Sequence, residues 1–422
     1  MEFNVSPVGR LVGSIAAPPS KSYTIRAVLS GLLADGVSKI RSPLMSRDTE
    51  AAFNACRLFG GEVSQKGDAV EIVGTAGKLS LPKAVVDSLN SGTTIRICTA
   101  LASLCGSEVA LTGDESIRRR PIQPLLDALS QLGVESSSTN GCPPLKVKGP
   151  LLGGACKIRG DVSSQFITAV LMAAPYAKKE VTVELTSPLK SRPYVDLTLD
   201  MLGLFGVEAR NDGYKCFTVP SGQTYKAAEY AVEGDYSSAA FIIAAAALTE
   251  SNVEVKNLSK DSLQADRKIL EIISMMGAKV KVSDGSVTVV SDGRLKGLKV
   301  DLSDSPDLLP IASVLGALAE GKTEIVNAAH ARLKECDRIK AMATELKMMG
   351  AQVKERQDGL EIVGGLLVGA RVEGWLDHRV VMALAVAGLK AKGQTVISGA
   401  EHIDVTFPEF KNTLNTLGAK II

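Results

Sequence analysis

The sequence predicts an α/β repeat fold of six similar units with apolar helices at its centre. Three observations support this fold class. A helix-ending phrase recurs six times, each recurrence accompanies a second helix that is apolar on nearly every face, and short β-rich runs lie between these helices. The length of 422 residues also exceeds what one hydrophobic core usually accommodates, which favours two domains or an array of units.

The recurring phrase is an amphipathic helix that ends in an apolar residue, followed by Gly and a small residue at the start of a strand. A glycine after the end of a helix suits the left-handed C′ position, where other residues are strained. Successive copies lie 68 to 73 residues apart, a spacing that is hard to produce by chance. The six glycines are Gly60, Gly133, Gly206, Gly277, Gly350 and Gly418.

Each unit also contains a more apolar helix that begins with a polar cluster. The run from Ala239 to Leu248 is the clearest case, and a helix that is apolar all round is buried. Alternating runs such as 180–185 predict strands. One unit therefore reads as strand, buried helix, strand, exposed helix and one or two strands. The polar clusters begin near Ser20, Asn90, Asp161, Asp235, Ser305 and Asp377.

Two arrangements of the six units are open at this point. In a simple solenoid the polar helix starts would be spread along one edge. In two lobes of three units they would line a shared cleft. Asp161 and Asp235 are predicted to be ordinary helix caps.

The composition excludes several classes of function. The 48 basic and 46 acidic residues nearly cancel, so a general attraction to nucleic acid or to anionic membranes is not expected. Seven Cys without CxxC spacing indicate reduced thiols, and three His without a His/Cys cluster make a zinc site unexpected. The longest uncharged helical stretch, between Asp235 and Glu250, is too short to span a bilayer. With no signal-peptide pattern at the N-terminus, we expect a soluble cytoplasmic protein.

The start of the first apolar helix predicts an anion site. Two prolines precede Ser20, a good N-cap, so a helix is predicted to begin at Lys21. Lys21, Ser22 and Arg26 then crowd around the first turn, where free N–H groups and the helix dipole also favour an anion. The alternative for this cluster alone is an ordinary helix start with solvated charges.

The other helix starts repeat this pattern with further cations. Together with a carboxylate at Asp307 and the pair Lys334 and Glu335, they suggest a cleft for two anionic substrates with groups for proton transfer. Taken singly, each residue is better explained by capping or a surface ion pair. The cations are Lys21, Arg26, Arg96, Arg120, Lys334, Arg338 and Arg379.

With these motifs in view, the chain resembles the 5-enolpyruvylshikimate-3-phosphate synthases (3-phosphoshikimate 1-carboxyvinyltransferases) over essentially its whole length. The resemblance implies two lobes of three βαβαββ repeats, with an active-site cleft between them. Residues 14–233 would form the N-terminal lobe, and residues 1–13 with 234–422 the C-terminal lobe. The matching segments are 19–26, 89–96, 120–122, 162–166, 191–194, 233–238, 334–338 and 377–379.

The same resemblance implies the substrates and the residues that bind them. The shikimate 3-phosphate residues would be Lys21, Ser22, Arg26, Ser163, Ser164, Gln165, Ser191, Tyr194, Asp307, His330 and Lys334. The phosphoenolpyruvate residues would be Lys21, Gly92, Thr93, Arg120, Gln165, Arg338 and Arg379. The 5-hydroxyl would add to the enolpyruvyl group, giving a tetrahedral intermediate that loses phosphate, with Asp307, Lys21 and Glu335 as catalytic residues. No metal or organic cofactor, no nucleic acid and no membrane would be needed, and a monomer is expected.

Some positions depart from the family pattern. Relatives often carry Asn where His330 stands and Pro where Ile97 stands. Many also carry Lys where Val405 stands, so the phosphoenolpyruvate site lacks one cation unless Lys411 or another residue replaces it. Gly92 leaves room for the herbicide glyphosate, and we expect sensitivity to be retained.

Two other functional interpretations compete with this one. The sister enzyme that acts on UDP-N-acetylglucosamine has Lys-Asn instead of Lys21-Ser22, and often a reactive Cys at the position of Glu115. A non-catalytic anion-binding repeat protein would not need the proton-transfer groups Asp307, Lys334 and Glu335.

Overall fold

The computed structural model describes residues 1–80 and 85–422, and these form two compact units. Unit 1 comprises Met1–Pro18 with Glu233–Ile422, and unit 2 comprises Pro19–Val232. The predicted lobe boundary after residue 13 falls inside a strand, Arg10–Ala16, whose seven residues all pair with Glu250–Lys256. This strand therefore belongs entirely to unit 1.

The described residues contain twelve α-helices. They are α1 (Lys21–Leu33), α2 (Arg47–Leu58), α3 (Gly92–Ala102), α4 (Gln123–Gln131), α5 (Ser164–Ala173), α6 (Arg192–Leu204), α7 (Tyr236–Leu248), α8 (Ile269–Met276), α9 (Leu309–Leu318), α10 (Arg338–Met348), α11 (His378–Gly388) and α12 (Phe410–Thr416). Short 3-10 helices precede some of them, including Ala265–Lys268, Pro306–Leu308 and Ala329–Leu333.

The described residues also contain 24 strands. They are β1 (Glu2–Ser6), β2 (Arg10–Ala16), β3 (Val37–Arg41), β4 (Glu62–Lys66), β5 (Ala69–Val73), β6 (Val85–Asp87), β7 (Val109–Thr112), β8 (Glu135–Thr139), β9 (Cys142–Lys148), β10 (Gly154–Ile158), β11 (Val181–Leu185), β12 (Arg210–Asp212), β13 (Cys216–Val219), β14 (Glu229–Ala231), β15 (Glu250–Lys256), β16 (Lys279–Ser283), β17 (Ser286–Asp292), β18 (Lys299–Asp301), β19 (Lys322–Val326), β20 (Gln352–Arg356), β21 (Gly359–Val363), β22 (Arg371–Glu373), β23 (Thr395–Ser398) and β24 (Lys420–Ile421).

These strands form six four-stranded sheets, one for each predicted repeat. Unit 2 contains the sheets β14-β3-β5-β4, β6-β7-β9-β8 and β10-β11-β13-β12. Unit 1 contains β2-β15-β17-β16, β18-β19-β21-β20 and β22-β23-β1-β24. In each sheet the first two strands are parallel and the others pair antiparallel, as in β10, β11, β13 and β12. The βαβαββ repeat is therefore confirmed.

Three sheets take a strand from a distant part of the chain. β14 completes the sheet of the first repeat by pairing with β3, and β2 completes that of the fourth by pairing with β15. β1 lies between β23 and β24 in the sixth. The N-terminal strands therefore belong to the same unit as the C-terminal half of the chain.

The apolar helices form the centre of each unit, as predicted. Every residue of α3, α7 and α11 is buried, and α1, α5 and α9 are nearly as completely enclosed. Each unit has its own hydrophobic core. A fully buried aliphatic side chain contributes about 1.5–3 kcal/mol, so these helices contribute much of the free energy that stabilises each unit. In the part of the chain that the structure describes, no helix is both long enough and apolar enough to cross a membrane.

The local start and stop signals read from the sequence are also present. Ser20 caps α1, which begins at Lys21, and Asp235 caps α7. All six recurring glycines have positive φ, from 75° to 119°. Asp161 was wrongly predicted as a cap: Ser163 caps α5, while Asp161 pairs with Arg159 at 2.7 Å.

Candidate active site

In unit 2, the first predicted anion-binding cluster lies where α1 begins. Lys21 is the first residue of α1, and its Nζ lies 2.9 Å from Oδ2 of Asp48 in the first turn of α2. The Asp48 side chain is only 4% exposed and that of Lys21 is 14% exposed. Because the carboxylate is almost enclosed, it holds the ammonium group in one place and leaves one side of it accessible.

Arg26, which the sequence placed around the first turn of α1, is almost completely buried. Its Nε donates to Thr198 Oγ1 at 3.0 Å, and its Nη2 donates to the Tyr194 carbonyl at 3.0 Å. Nη2 also reaches Thr168 Oγ1 at 3.4 Å, and Nη1 donates to the Ser22 carbonyl at 3.0 Å. Burial lowers the pKa of this guanidinium to about 10. Arg26 therefore ties the first turn of α1 to α5 and α6, with four of its five N–H groups engaged.

The starts of α3 and α5 meet through side chains. Gln165 Nε2 donates to Thr93 Oγ1 at 3.0 Å, and Arg96 Nη1 donates to Gln165 Oε1. The Arg96 guanidinium carbon also lies 5.2 Å from the centroid of the Phe166 ring. Gln165 is thereby fixed between two helix N-termini, where its amide can orient a ligand.

Gly92, the first residue of α3, lies against Arg120. A Cβ atom added at Gly92 would lie 2.7 Å from Arg120 Nη1 and 3.4 Å from Arg96 Nη1. Arg120 is itself almost buried, and its Nη2 donates to Ser116 Oγ at 3.0 Å. Glycine at this position therefore allows two guanidinium groups to approach the helix start.

The remaining predicted serines also lie at helix starts in unit 2. Ser163 caps α5 by accepting from Gln165 N at 3.3 Å, and Ser164 follows it and is buried. Ser191 precedes α6 with φ of 56°, a left-handed conformation that is unusual for serine. The half-buried Tyr194 lies in the first turn of α6.

In unit 1, three predicted cations converge on Asp307. Its Oδ1 lies 2.7 Å from Arg338 Nη1 and 3.4 Å from Lys334 Nζ, while its Oδ2 lies 3.1 Å from Arg379 Nη2. These residues come from three separate segments: the 3-10 helix before α9, the connection into α10 with the first residue of that helix, and the start of α11. Asp307 therefore lies in a strongly cationic environment, which favours the carboxylate form.

Arg338 is the most enclosed of these cations, with a side chain that is 1% exposed. Its Nη2 lies 2.7 Å from Glu335 Oε2, and its Nε lies 2.8 Å from Asp377 Oδ2. Burial acts to lower the pKa of Arg338, but Asp377, Glu335 and Asp307 together raise it well above its usual value. Three carboxylates thus share one guanidinium group.

Asp377 accepts hydrogen bonds from both Arg338 and Arg379. Besides its ion pair with Arg338, it caps α11 by accepting from Arg379 N at 2.8 Å. Arg379 Nη1 in turn reaches the carbonyl of Ser237, at the start of α7, at 3.4 Å. The starts of α7 and α11 and the 3-10 turn that leads into α9 therefore gather within unit 1.

One sequence expectation in unit 1 needs correction. Lys334 was placed among the helix-start cations, but α10 begins only at Arg338, so Lys334 and Glu335 lie in the connection before it. Asp337 caps α10 and contacts Arg332 at 2.7 Å.

The positions that depart from the family pattern are enclosed. His330 lies in the 3-10 helix Ala329–Leu333 and is 8% exposed. Val405, at the end of the 3-10 helix Ala400–Val405, is 2% exposed. Lys411 lies in the first turn of α12.

Three carboxylates of the two clusters were missed as site residues. Asp48 and Asp266 lie 27 and 41 residues from Lys21 and Asp307, so local patterns do not connect them. Asp377 lies two residues before Arg379, but it is 39 residues from Arg338, its partner in the ion pair. Asp266 accepts from Ser237 Oγ. Burial, together with repulsion from Asp307, raises the pKa of Asp266 to about 6. Among the described residues, no group of three or more His, Cys, Asp or Glu side chains is arranged to hold a metal ion.

A family model described as EPSP synthase (3-phosphoshikimate 1-carboxyvinyltransferase) matches residues 5–414. The 3-phosphoshikimate 1-carboxyvinyltransferase of Methanocaldococcus jannaschii is 48% identical over 99% of this chain and 98% of its own length. That of Methanocella arvoryzae is 49% identical over 97% of both chains.

Solved structures agree with this match. EPSP synthase from Acinetobacter baumannii superposes with a TM-score of 0.82 at 27% identity, covering 100% of this chain and 99% of the other. The fold, the repeats and the sequence similarity over nearly the full length all indicate the same family. The chain belongs to the EPSP synthase (3-phosphoshikimate 1-carboxyvinyltransferase) family.

Proposed function

We propose that this protein transfers the enolpyruvyl group of phosphoenolpyruvate to the 5-hydroxyl of shikimate 3-phosphate and releases phosphate. Family membership over nearly the whole chain supports the reaction. The observation that carries the chemistry is Asp307, a carboxylate in direct contact with Lys334, Arg338 and Arg379. Both substrates are anions, and a cationic cluster that also contains a base suits their reaction.

The cations and hydroxyl groups are divided between the substrates in this proposal. Shikimate 3-phosphate is bound by Lys21, Ser22, Arg26, Ser163, Ser164, Gln165, Ser191, Tyr194, Asp307, His330 and Lys334. Phosphoenolpyruvate is bound by Lys21, Gly92, Thr93, Arg120, Gln165, Arg338 and Arg379. In this proposal both units contribute residues that bind the substrates.

Asp307 acts as the base for the 5-hydroxyl in this scheme. Without substrate, its oxygens are held by cations, and this weakens them as proton acceptors. When anionic substrates bind, their oxygens compete for Lys334 and Arg379, and the carboxylate becomes free to accept the hydroxyl proton. Binding of the two substrates would therefore prepare the base that joins them.

The bonds then change in two steps. In the addition, the 5-oxygen bonds to C2 of the enolpyruvyl group and C3 gains a proton, giving a tetrahedral intermediate. In the elimination, the bond from C2 to the phosphate oxygen breaks and C3 loses a proton. Lys21 and Glu335 assist these proton transfers and the departure of phosphate. The scheme needs no redox cofactor, since no electrons leave the reactants, and the cations stabilise the charge that develops.

A phosphate-release assay tests the reaction. Purified protein with phosphoenolpyruvate is expected to release phosphate when shikimate 3-phosphate is added, and not when UDP-N-acetylglucosamine is added. Release with the second acceptor instead would assign the sister reaction. Release with neither would leave an anion-binding protein without this activity.

Substitution of Asp307 tests the role of the base. Asp307→Ala is expected to abolish turnover while calorimetry still detects binding of shikimate 3-phosphate, because the cations remain. If binding is lost instead, Asp307 only positions the substrate. We further propose that the enzyme acts as a cytoplasmic monomer, and light scattering after size-exclusion chromatography checks the monomer.

A further inference from the structure

We infer that Glu345 is a positioning residue: its carboxylate holds a strained turn, Gly374–Asp377, that delivers Asp377 and Arg379 to the site. This inference rests on the proposed function, in which Arg379 binds phosphoenolpyruvate. Its evidence, however, is the geometry of unit 1 alone, and the experiment below separates the two.

The turn joins β22 to α11 in an unusual conformation. Asp377 N donates to the Gly374 carbonyl at 2.9 Å, which closes a four-residue turn. Its two central residues, Trp375 and Leu376, have φ of 53° and 54°. Turns with two left-handed central residues normally contain Gly, Asn or Asp there, because side chains such as Trp and Leu are strained in this region. Strained residues persist where the surrounding structure holds them in place.

Glu345 supplies that restraint from α10. Its Oε1 accepts from the indole Nε1 of Trp375 at 2.7 Å, and its Oε2 accepts from Glu373 N at 3.0 Å. The side chain is almost buried, with 5% of the residue exposed. Both carboxylate oxygens are therefore used on the strand end and the turn.

The position of Glu345 in α10 links this restraint to the site. Arg338 begins the same helix seven residues earlier, about two helical turns away, so the two side chains share one face. Arg338 bonds Asp377 at 2.8 Å at the end of the turn, while Glu345 bonds Trp375 within it. Residues on one face of α10 thus hydrogen-bond the turn at two points, immediately before Arg379.

Three variants test the inference through phosphoenolpyruvate affinity. Glu345→Ala is expected to raise the KM for phosphoenolpyruvate about ten- to a hundredfold, since small misplacement of a binding group has effects of this size. The KM for shikimate 3-phosphate should change much less. Leu376→Gly relieves the strain, so adding it to Glu345→Ala should recover much of the lost affinity. Glu345→Gln, which retains one acceptor oxygen, should lie between.

A matched control separates positioning from stability. Leu346→Ala removes a fully buried side chain of the same helix that lies outside the face shared by Arg338 and Glu345. It should lower the melting temperature and leave both KM values unchanged. If Glu345→Ala behaves like Leu346→Ala, or if Leu376→Gly gives no recovery, the positioning role is wrong.

The tryptophan gives a readout that is independent of activity. Trp375 is the only tryptophan in the chain, so its fluorescence reports on this turn directly. Glu345→Ala should shift the emission to longer wavelength and increase acrylamide quenching, with Leu376→Gly partly reversing both changes. If the wild-type protein lacks the proposed activity but these fluorescence changes occur, the proposed function fails and the restraint stands. Unchanged fluorescence overturns the restraint itself.

Discussion

At the scale of single residues, the site consists of charges held at short distances by other charges. Asp307 contacts three cations, and Arg338 contacts three carboxylates. Such buried pairs contribute less to stability than their number implies, because removing charges from water is unfavourable. Their effect is to fix the positions of the charged groups, which in the proposed function exchange partners when an anionic substrate binds.

Gly92→Ala tests the close approach of Arg120 to the start of α3. The new Cβ would lie 2.7 Å from Arg120 Nη1, so the guanidinium must move. We expect a several-fold rise in the KM for phosphoenolpyruvate and weaker competitive inhibition by glyphosate. Gly203→Ala is the matched control, because it lies in α6 with open space around the added methyl group. Equal kinetics for both variants would contradict a role for the space at Gly92.

Lys21→Ala tests the ammonium group at the start of α1. Its loss should reduce kcat/KM by at least about tenfold, corresponding to the ~1.5–3 kcal/mol of a hydrogen bond to a charged group. Circular dichroism should show intact folding. Lys279→Ala, on exposed β16, provides a surface control. Turnover like that of the wild type would remove Lys21 from the mechanism.

At the scale of elements, the helix starts are joined by side chains from neighbouring elements. Arg26 links α1 to α5 and α6, Gln165 links α5 to α3, and Arg379 links α11 to α7. The 3-10 helix Ala265–Lys268 adds Asp266, whose pKa is about 6, next to the start of α7. The electrostatics of the site therefore extend beyond the residues that can touch substrate.

Asp266 predicts a pH dependence of unit 1 stability. Its folded pKa of about 6 exceeds the ordinary value of 3.8, chiefly because of burial and then because of Asp307. The group therefore favours the folded state below about pH 4, and this contribution is lost as pH rises through 6. As the pH rises from 4 to 8, the free energy of unfolding of Asp266→Asn, measured in urea, should increase by up to about 3 kcal/mol relative to that of the wild type. A constant difference across this range would contradict the raised pKa.

At the scale of the whole molecule, the two units differ in connectivity. Unit 2 is one continuous stretch, Pro19–Val232, whereas unit 1 is assembled from both ends of the chain. Each has its own buried core of aliphatic side chains. Continuity and a separate core are the properties of a domain that can fold alone.

We therefore expect residues 19–232, produced as a separate polypeptide, to fold cooperatively. The three sheets of unit 2 use only strands from this stretch, so no sheet would be left incomplete. Urea unfolding monitored by circular dichroism should give a single sigmoidal transition. Residues 233–422 alone provide the contrast, since two of their three sheets lack a strand. A gradual loss of signal for residues 19–232 would show that this unit depends on the rest of the chain.

Much of the fold could be predicted because its signals are local. The glycine after each exposed helix, the N-caps such as Ser20 and the apolar body of α7 each depend on residues within a few positions. The family resemblance also implied that the N-terminal strand joins the C-terminal half. The position of its boundary could not be found locally, because β2 is defined by pairing with β15, more than two hundred residues away.

The candidate site was predictable in its cations and less so in its carboxylates. Motifs placed Lys21, Arg338 and Arg379 at helix starts. Asp48 and Asp266 were missed because an acidic residue near a helix start looks like a dipole partner or a cap. The near-complete burial of Arg338 was also missed, since it depends on three carboxylates from separate segments.

The place of β1 between β23 and β24 has a consequence for how the chain is made. A ribosome makes β1 long before β23 and β24, the two strands that neighbour it in the sheet. Unit 2 can collapse on the nascent chain, while β1 must wait, with its hydrogen-bonding edges open, until β23 and β24 have been made. Slow translation of the C-terminal segment would lengthen this interval and expose the nascent chain to aggregation.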